Sequence, residues 1–155
     1  MSGRTAQRTF RSTRSSISGA RKHTESICRA WKVGTELTES AVLVVSELAT
    51  NAVLHAKGIG EFFELRIRRR RGVLVLEVTD SSSQGPPQPG YPCPEFADES
   101  AFPQYDAGFD ATDASRSGRG LRIVEYFADT WGVRQRANGP GKTVWAHLDT
   151  TRRRP

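Results

Sequence analysis

The amino-acid sequence predicts an α/β fold, a two-layer sandwich in which one mixed, mostly antiparallel sheet carries helices on a single face. Three observations predict it. Residues 62–68 and 73–79 are strand-like runs joined too tightly for a crossover, so they pair antiparallel. Around Glu47, apolar side chains recur at helical spacing. A further helical pattern near the end of the chain is followed by two short strand-like runs about the turn Asn138-Gly139-Pro140-Gly141.

The first helix is expected from about Ser18 to Lys32, with Ala20, Thr24, Ile27 and Trp31 on one face and Gly34 ending it. Thr38 is the expected N-cap of the second, Glu39 suits its positive start, and Gly58 supplies the stop. In that helix Ala41, Val45, Ala49, Ala52 and Ala56, with Val42, Leu48 and Val53 beside them, make a complete apolar stripe. Two strands follow, Phe62–Arg68 and Val73–Thr79, with Arg68-Arg69-Arg70-Arg71-Gly72 read as a solvated hairpin tip. Residues 84–117 contain Pro86, Pro87, Pro89, Pro92, Pro94 and Pro103 and few periodic apolar residues, which reads as a long mobile segment. A helix over Gly120–Ala128, carried by Leu121, Val124, Phe127 and Ala128, leads to strands near Trp131–Arg136 and Thr143–Leu148.

At 155 residues the chain is one domain by length and can bury its own core. Its net charge of +6 is unevenly placed: residues 1–30 carry seven basic side chains and one acidic, whereas residues 31–150 hold 13 basic against 16 acidic. The body is therefore not basic, which makes a general nucleic-acid binder a minor reading resting on the termini. Cys28 and Cys93 are far apart, without metal-ligand or redox spacing, and fit a reducing cytosol. No apolar stretch is expected to cross a membrane, and no signal-peptide pattern follows the first arginines, so the chain is expected to be soluble and cytoplasmic.

Three segments carry chemistry. Glu47, Asn51 and His55 sit at i, i+4 and i+8, so an acid, an amide and an imidazole share the helix face opposite the apolar stripe. Carboxylate and amide oxygens are ligands that a hard cation such as Mg²⁺ accepts, and a carboxylate also serves as a base. Ser117-Gly118-Arg119-Gly120-Leu121 is a glycine-flexible turn opening a helix, where free backbone N–H groups bind anions, phosphate especially. Val73 to Asp80 is a buried-looking strand that ends on an aspartate.

Taken in order, these segments resemble the ATP-binding domain shared by gyrase, Hsp90, sensor histidine kinases and MutL, the GHKL or Bergerat-fold family. Within it they are most similar to the small bacterial anti-sigma factors that act as serine/threonine kinases. The resemblance rests on residues 47–56, on Val78-Thr79-Asp80, on residues 117–124, and on Gly139-Pro140-Gly141-Lys142-Thr143-Val144-Trp145 as the closing hairpin. It implies a single domain over residues 7–148, with an edge strand over residues 7–12, an ATP lid over about 84–117, a disordered basic tail at 1–6 and another at 149–155.

The resemblance implies roles as well. Asn51 would hold Mg²⁺, Glu47 would be the catalytic base, and His55 would reach a phosphate or stay a structural residue at the negative helix end. Asp80 would accept the adenine amino hydrogen, Gly118, Arg119, Gly120 and Leu121 would cradle the phosphates of ATP, and Thr143 would buttress Asp80 or the adenine edge. His23 and His147 are read as structural. The implied partners are a sigma factor and an anti-anti-sigma (STAS-type) protein, with a homodimer admitted and neither membrane nor direct nucleic-acid contact expected. One departure stands out: the family places a glycine where this chain has Ser82, and a second reading follows from it, a partner-titrating module of the same fold that transfers no phosphate.

Overall fold

The structure, a computed structural model, describes residues 3–54, 61–80, 116–135 and 141–151. In chain order the elements are β1 (Arg4–Arg11), α1 (Arg14–Ala30), α2 (Thr35–Leu54), β2 (Phe62–Arg70), β3 (Val73–Asp80), α3 (Arg116–Phe127), β4 (Thr130–Gln135) and β5 (Lys142–Asp149). The strands form one sheet in the order β1-β2-β3-β5-β4. The expected α/β sandwich is present, and every pairing among the described strands is antiparallel where a mixed sheet was expected.

Period-two alternation divides the sheet into two faces. Phe63, Leu65 and Ile67 of β2, Leu74, Leu76 and Val78 of β3, and Val144, Ala146 and Leu148 of β5 are buried on the helix side. Against them α2 lays Val44, Val45, Leu48, Ala49 and Ala52, whose two alanines let the helix approach the strands closely. Burying each such Leu or Ile contributes about 1.5–3 kcal/mol. Val44 belongs to this stripe, and Asn51 is itself buried, so the polar side of α2 does not face open water.

Both long helices start earlier than their sequence signals. α1 begins at Arg14, four residues before Ser18, after an extended Thr13 whose side chain makes no capping bond to backbone. Its end is fixed from the sheet: the Arg69 guanidinium donates to the Trp31 carbonyl, and Lys32 then turns at φ 55°. The cation at the negative helix end is favourable. Gly34, expected to stop α1, instead starts α2, since the Thr38 N–H donates to its carbonyl; α1 is stopped earlier, by Lys32 and by the Val33 N–H donating to the Cys28 carbonyl. Thr38 is therefore inside the first turn and not its cap. α2 is also a correction of another kind: at 20 residues, with mean hydropathy 1.3 over its best window, it is long and apolar enough to cross a membrane, yet 56% of that window is buried inside the fold.

The β2–β3 hairpin turns on Arg71 and Gly72, both at positive φ (50° and 76°), the left-handed pair a two-residue turn requires. Arg70 and Arg71 are exposed as expected of a tip, but Arg68 and Arg69 are engaged. Arg68 joins Arg134 in clamping Glu77, a nearly fully buried acid on the open face of the sheet, at 3.0 and 2.7 Å. Beside that clamp Trp145 lies over Gly132, where an added Cβ would stand 2.6 Å from the indole ring. β1 starts at Arg4, so residues 4–6 belong to the sheet and not to a disordered tail.

Candidate functional site

Register and connectivity bring the chemistry to one end of the sheet. Arg11 at the end of β1 stands opposite Phe62, and Asp80 at the end of β3 stands opposite Phe63. α1 begins three residues after β1 and runs to the far end, where Trp31 meets Arg69. α2 returns along it, so that Val53 and Leu54 come beside Arg14 and Ile17 across a cleft of about 350 Å³. α3 packs along α2 and finishes at the far end, where the Asp129 N–H donates to the His147 carbonyl at 2.8 Å. Its first turn therefore points back toward Asp80, as do the end of α2 and the start of β5.

Asp80 is 5% exposed, and its two oxygens differ. Oδ2 accepts a hydrogen bond from Lys142 Nζ at 2.8 Å, whereas Oδ1 is buried with no hydrogen-bond partner among the described residues. Asn51, 3% exposed on α2, carries the second such orphan at this end of the fold, its Nδ2. A buried polar atom without a partner costs about 1–3 kcal/mol, so two of them at one end mark a place where a polar ligand recovers free energy. Glu47 lies one turn before Asn51 and is half-buried. Thr50 between them is turned away, its hydroxyl donating to the Ser46 carbonyl at 2.6 Å.

The Thr143 expectation needs correction. Successive strand residues point to opposite faces, and Thr143 shares a face with Thr79, to which its hydroxyl bonds at 2.7 Å. Thr143 therefore does not buttress Asp80; Lys142, one residue earlier, does. The Gly141-Lys142-Thr143 segment held this signal, but only the register says which of the two side chains faces the aspartate.

The segment expected to cradle phosphate is likewise shifted. Helix α3 starts at Arg116, so Gly118 and Gly120 belong to the helix and not to a turn before it, with Arg119 and Leu121 in the same backbone. Glycine is a poor helix former, which hid the start, and the first-turn amides keep free N–H groups at a positive helix end. His55, Ser82, most of the lid segment and the Asn138-Gly139-Pro140 part of the closing turn lie outside the described residues. Among the described residues no three His, Cys, Asp or Glu side chains gather to hold a metal. The donor set that remains, an amide with phosphate oxygens, is the kind Mg²⁺ takes when it binds through a nucleotide.

Three further groups have displaced pKa values. Burial first, then the Arg8 charge, lowers the His23 pKa, and His23 Nε2 is buried without a partner among the described residues. Burial likewise lowers that of His147, whose ring lies tilted against Trp145 on the open face. Cys28 is buried in the core, and burial pushes its thiol up to about 11. Structural roles fit all three.

No curated protein matches the sequence. The family model described as the histidine kinase-like ATPase domain matches residues 10–148, which takes in α1 to β4 whole and β5 up to Leu148 and makes this an ATP-binding domain of the GHKL type. The chain belongs to the histidine kinase-like ATPase domain family.

Proposed function

We propose that the protein is an anti-sigma-factor-like regulator in the cytoplasm, which holds a sigma factor and uses ATP to phosphorylate a serine or threonine on a STAS-type anti-anti-sigma partner. The observation that carries the nucleotide part is Oδ1 of Asp80, buried without a hydrogen-bond partner among the described residues at the end of the sheet where α2 and α3 converge. It is an acceptor awaiting a donor, and the 6-amino group of adenine is such a donor. The first-turn amides of α3 would hold phosphate oxygens, as free N–H groups at a helix start do.

Asn51 would hold Mg²⁺ through its side-chain oxygen. When bound, the ion neutralises charge on the phosphates during transfer. Glu47, one helical turn away, accepts the proton of the attacking hydroxyl. The cleft between α1 and α2 supports a protein partner, because Arg14 and Arg21 flank the apolar Ile17 and Leu54 there, a surface suited to an acidic segment. Ser82 in place of the family glycine favours a second reading, in which the same site binds ATP and titrates a partner without transferring phosphate.

Thermal unfolding with ATP, ADP and GTP, each with and without Mg²⁺, tests the reading. Saturation at a hundred times the Kd stabilises by about 2.7 kcal/mol, which raises Tm by about 5–10 °C in a domain of this size. Stabilisation by ATP and ADP, with Mg²⁺ strengthening it, is the expected result. No shift with any nucleotide would end the proposal.

A further inference from the structure

The two oxygens of Asp80 are held unequally, one on Lys142 and one without a partner among the described residues. Both side chains are almost out of water, Lys142 at 11% and Asp80 at 6% exposure. A carboxylate so deeply placed and lacking a counter-charge takes up a proton in preference to staying ionised. The neighbouring ammonium supplies that counter-charge, and an ionised carboxylate offers acceptors only. Lys142 also occupies Oδ2, which leaves one acceptor facing the site.

Resting on the ATP-binding reading above, we infer that Lys142 is a positioning residue for base selection: it keeps Asp80 a charged, single-acceptor group that takes a hydrogen from a 6-aminopurine and repels a 6-oxopurine. Adenine directs an N–H at that oxygen. Hypoxanthine, with an oxo group at the same ring position, directs a lone pair there and is refused. Without Lys142 the carboxyl acquires an O–H, which donates to an oxo group as readily as its carbonyl accepts from an amino group. Discrimination is then lost although Asp80 is still present. The same ion pair also ties β3 to β5, so the test must separate recognition from mere strand tethering.

The measurement is the Kd of ATP and of ITP for the full chain and for Lys142→Met, Lys142→Gln and Lys142→Arg. The wild type should favour ATP by about a hundredfold, and the Met and Gln variants should narrow that ratio by about tenfold or more, chiefly through tighter ITP binding. Lys142→Gln, which keeps a hydrogen bond without the charge, carries the same prediction if Lys142→Met does not fold. Lys142→Arg, which keeps the charge, should hold the ratio within about threefold of wild type. A tether alone would weaken both nucleotides equally; an unchanged ratio in Met and Gln, or an Arg variant that loses the ratio as they do, overturns the inference. So does a wild type that binds ATP and ITP alike. A wild type that binds neither nucleotide overturns the ATP reading itself and this inference with it, whereas good ATP binding with a flat ratio across the variants overturns the inference alone.

Discussion

Replacing Glu77 with glutamine should cost the fold about 1–2 kcal/mol. Glu77 is 2% exposed, and its Oε1 accepts from Arg68 at 3.0 Å and Arg134 at 2.7 Å, which ties β2, β3 and β4 across the open face. Charge-assisted hydrogen bonds are worth about 1.5–3 kcal/mol each, against about 0.5–1.5 for neutral ones. Glutamine leaves an oxygen in place, so roughly half of each bond survives and about 1–3 kcal/mol is lost from the pair. Two effects reduce that loss. The arginines are 45% and 54% exposed and are rehydrated once released, and the amide is less costly to bury than the carboxylate. At about 2–4 °C per kcal/mol for a domain of this size, Tm should fall by about 2–8 °C. Urea unfolding at about 0.1 M and about 1 M NaCl measures the difference, which should shrink by less than half in high salt because the acid lies out of reach of the ion atmosphere. A variant as stable as wild type, or more so, would refute the idea that the two arginines offset the burial of the acid.

Three other outcomes are expected. Glu47→Ala should abolish phosphate transfer to the partner while leaving the Kd for ATP within about threefold, and full-rate transfer in a radiolabel assay would remove Glu47 from the mechanism. Asn51→Ala should weaken Mg²⁺-dependent ATP binding by about tenfold or more and metal-free ATP binding much less; calorimetry with and without EDTA that shows equal losses would count against the amide as a ligand. With its thiol raised from 9.0 to about 11, Cys28 should resist iodoacetamide near neutral pH until the chain unfolds. The sign follows from linkage: between those two values the unfolded state loses its proton first, so stability falls as pH rises through that window, by about 1.4 kcal/mol per unit at most, and Cys28→Ala should flatten that part of the curve.

Much of the fold was legible because its signals are local. The alternation of β2 and β3, and their tight connection, located both strands to within two residues at each end. The helix starts were less legible. α1 has no side-chain cap and α2 uses the carbonyl of Gly34, a residue that reads first as a stop. Within the site, Asn51 and Asp80 could be picked out from spacing and position at an element's end, and both prove buried with a polar atom that has no partner among the described residues. Lys142 and Thr143 could not be told apart, because a one-residue change of register exchanges the faces of the sheet, and register depends on partners more than sixty residues away. Glu77 was hidden for a related reason: its counter-charges come from two other strands.

The first strand gives the basic beginning of the chain a task unrelated to any ligand. β1 forms one rim of the sheet and exposes Arg4, Arg8 and Arg11, with Arg8 lying over the Phe10 ring. A rim of unpaired amides invites a neighbouring molecule to zip on, and rows of like charge push such a neighbour away. Trimming residues 1–11 would hand that rim to β2, add to the exposure of Phe62 and uncover the buried Phe63 by removing Phe10 from its ring, so the shortened protein should emerge from expression as aggregate.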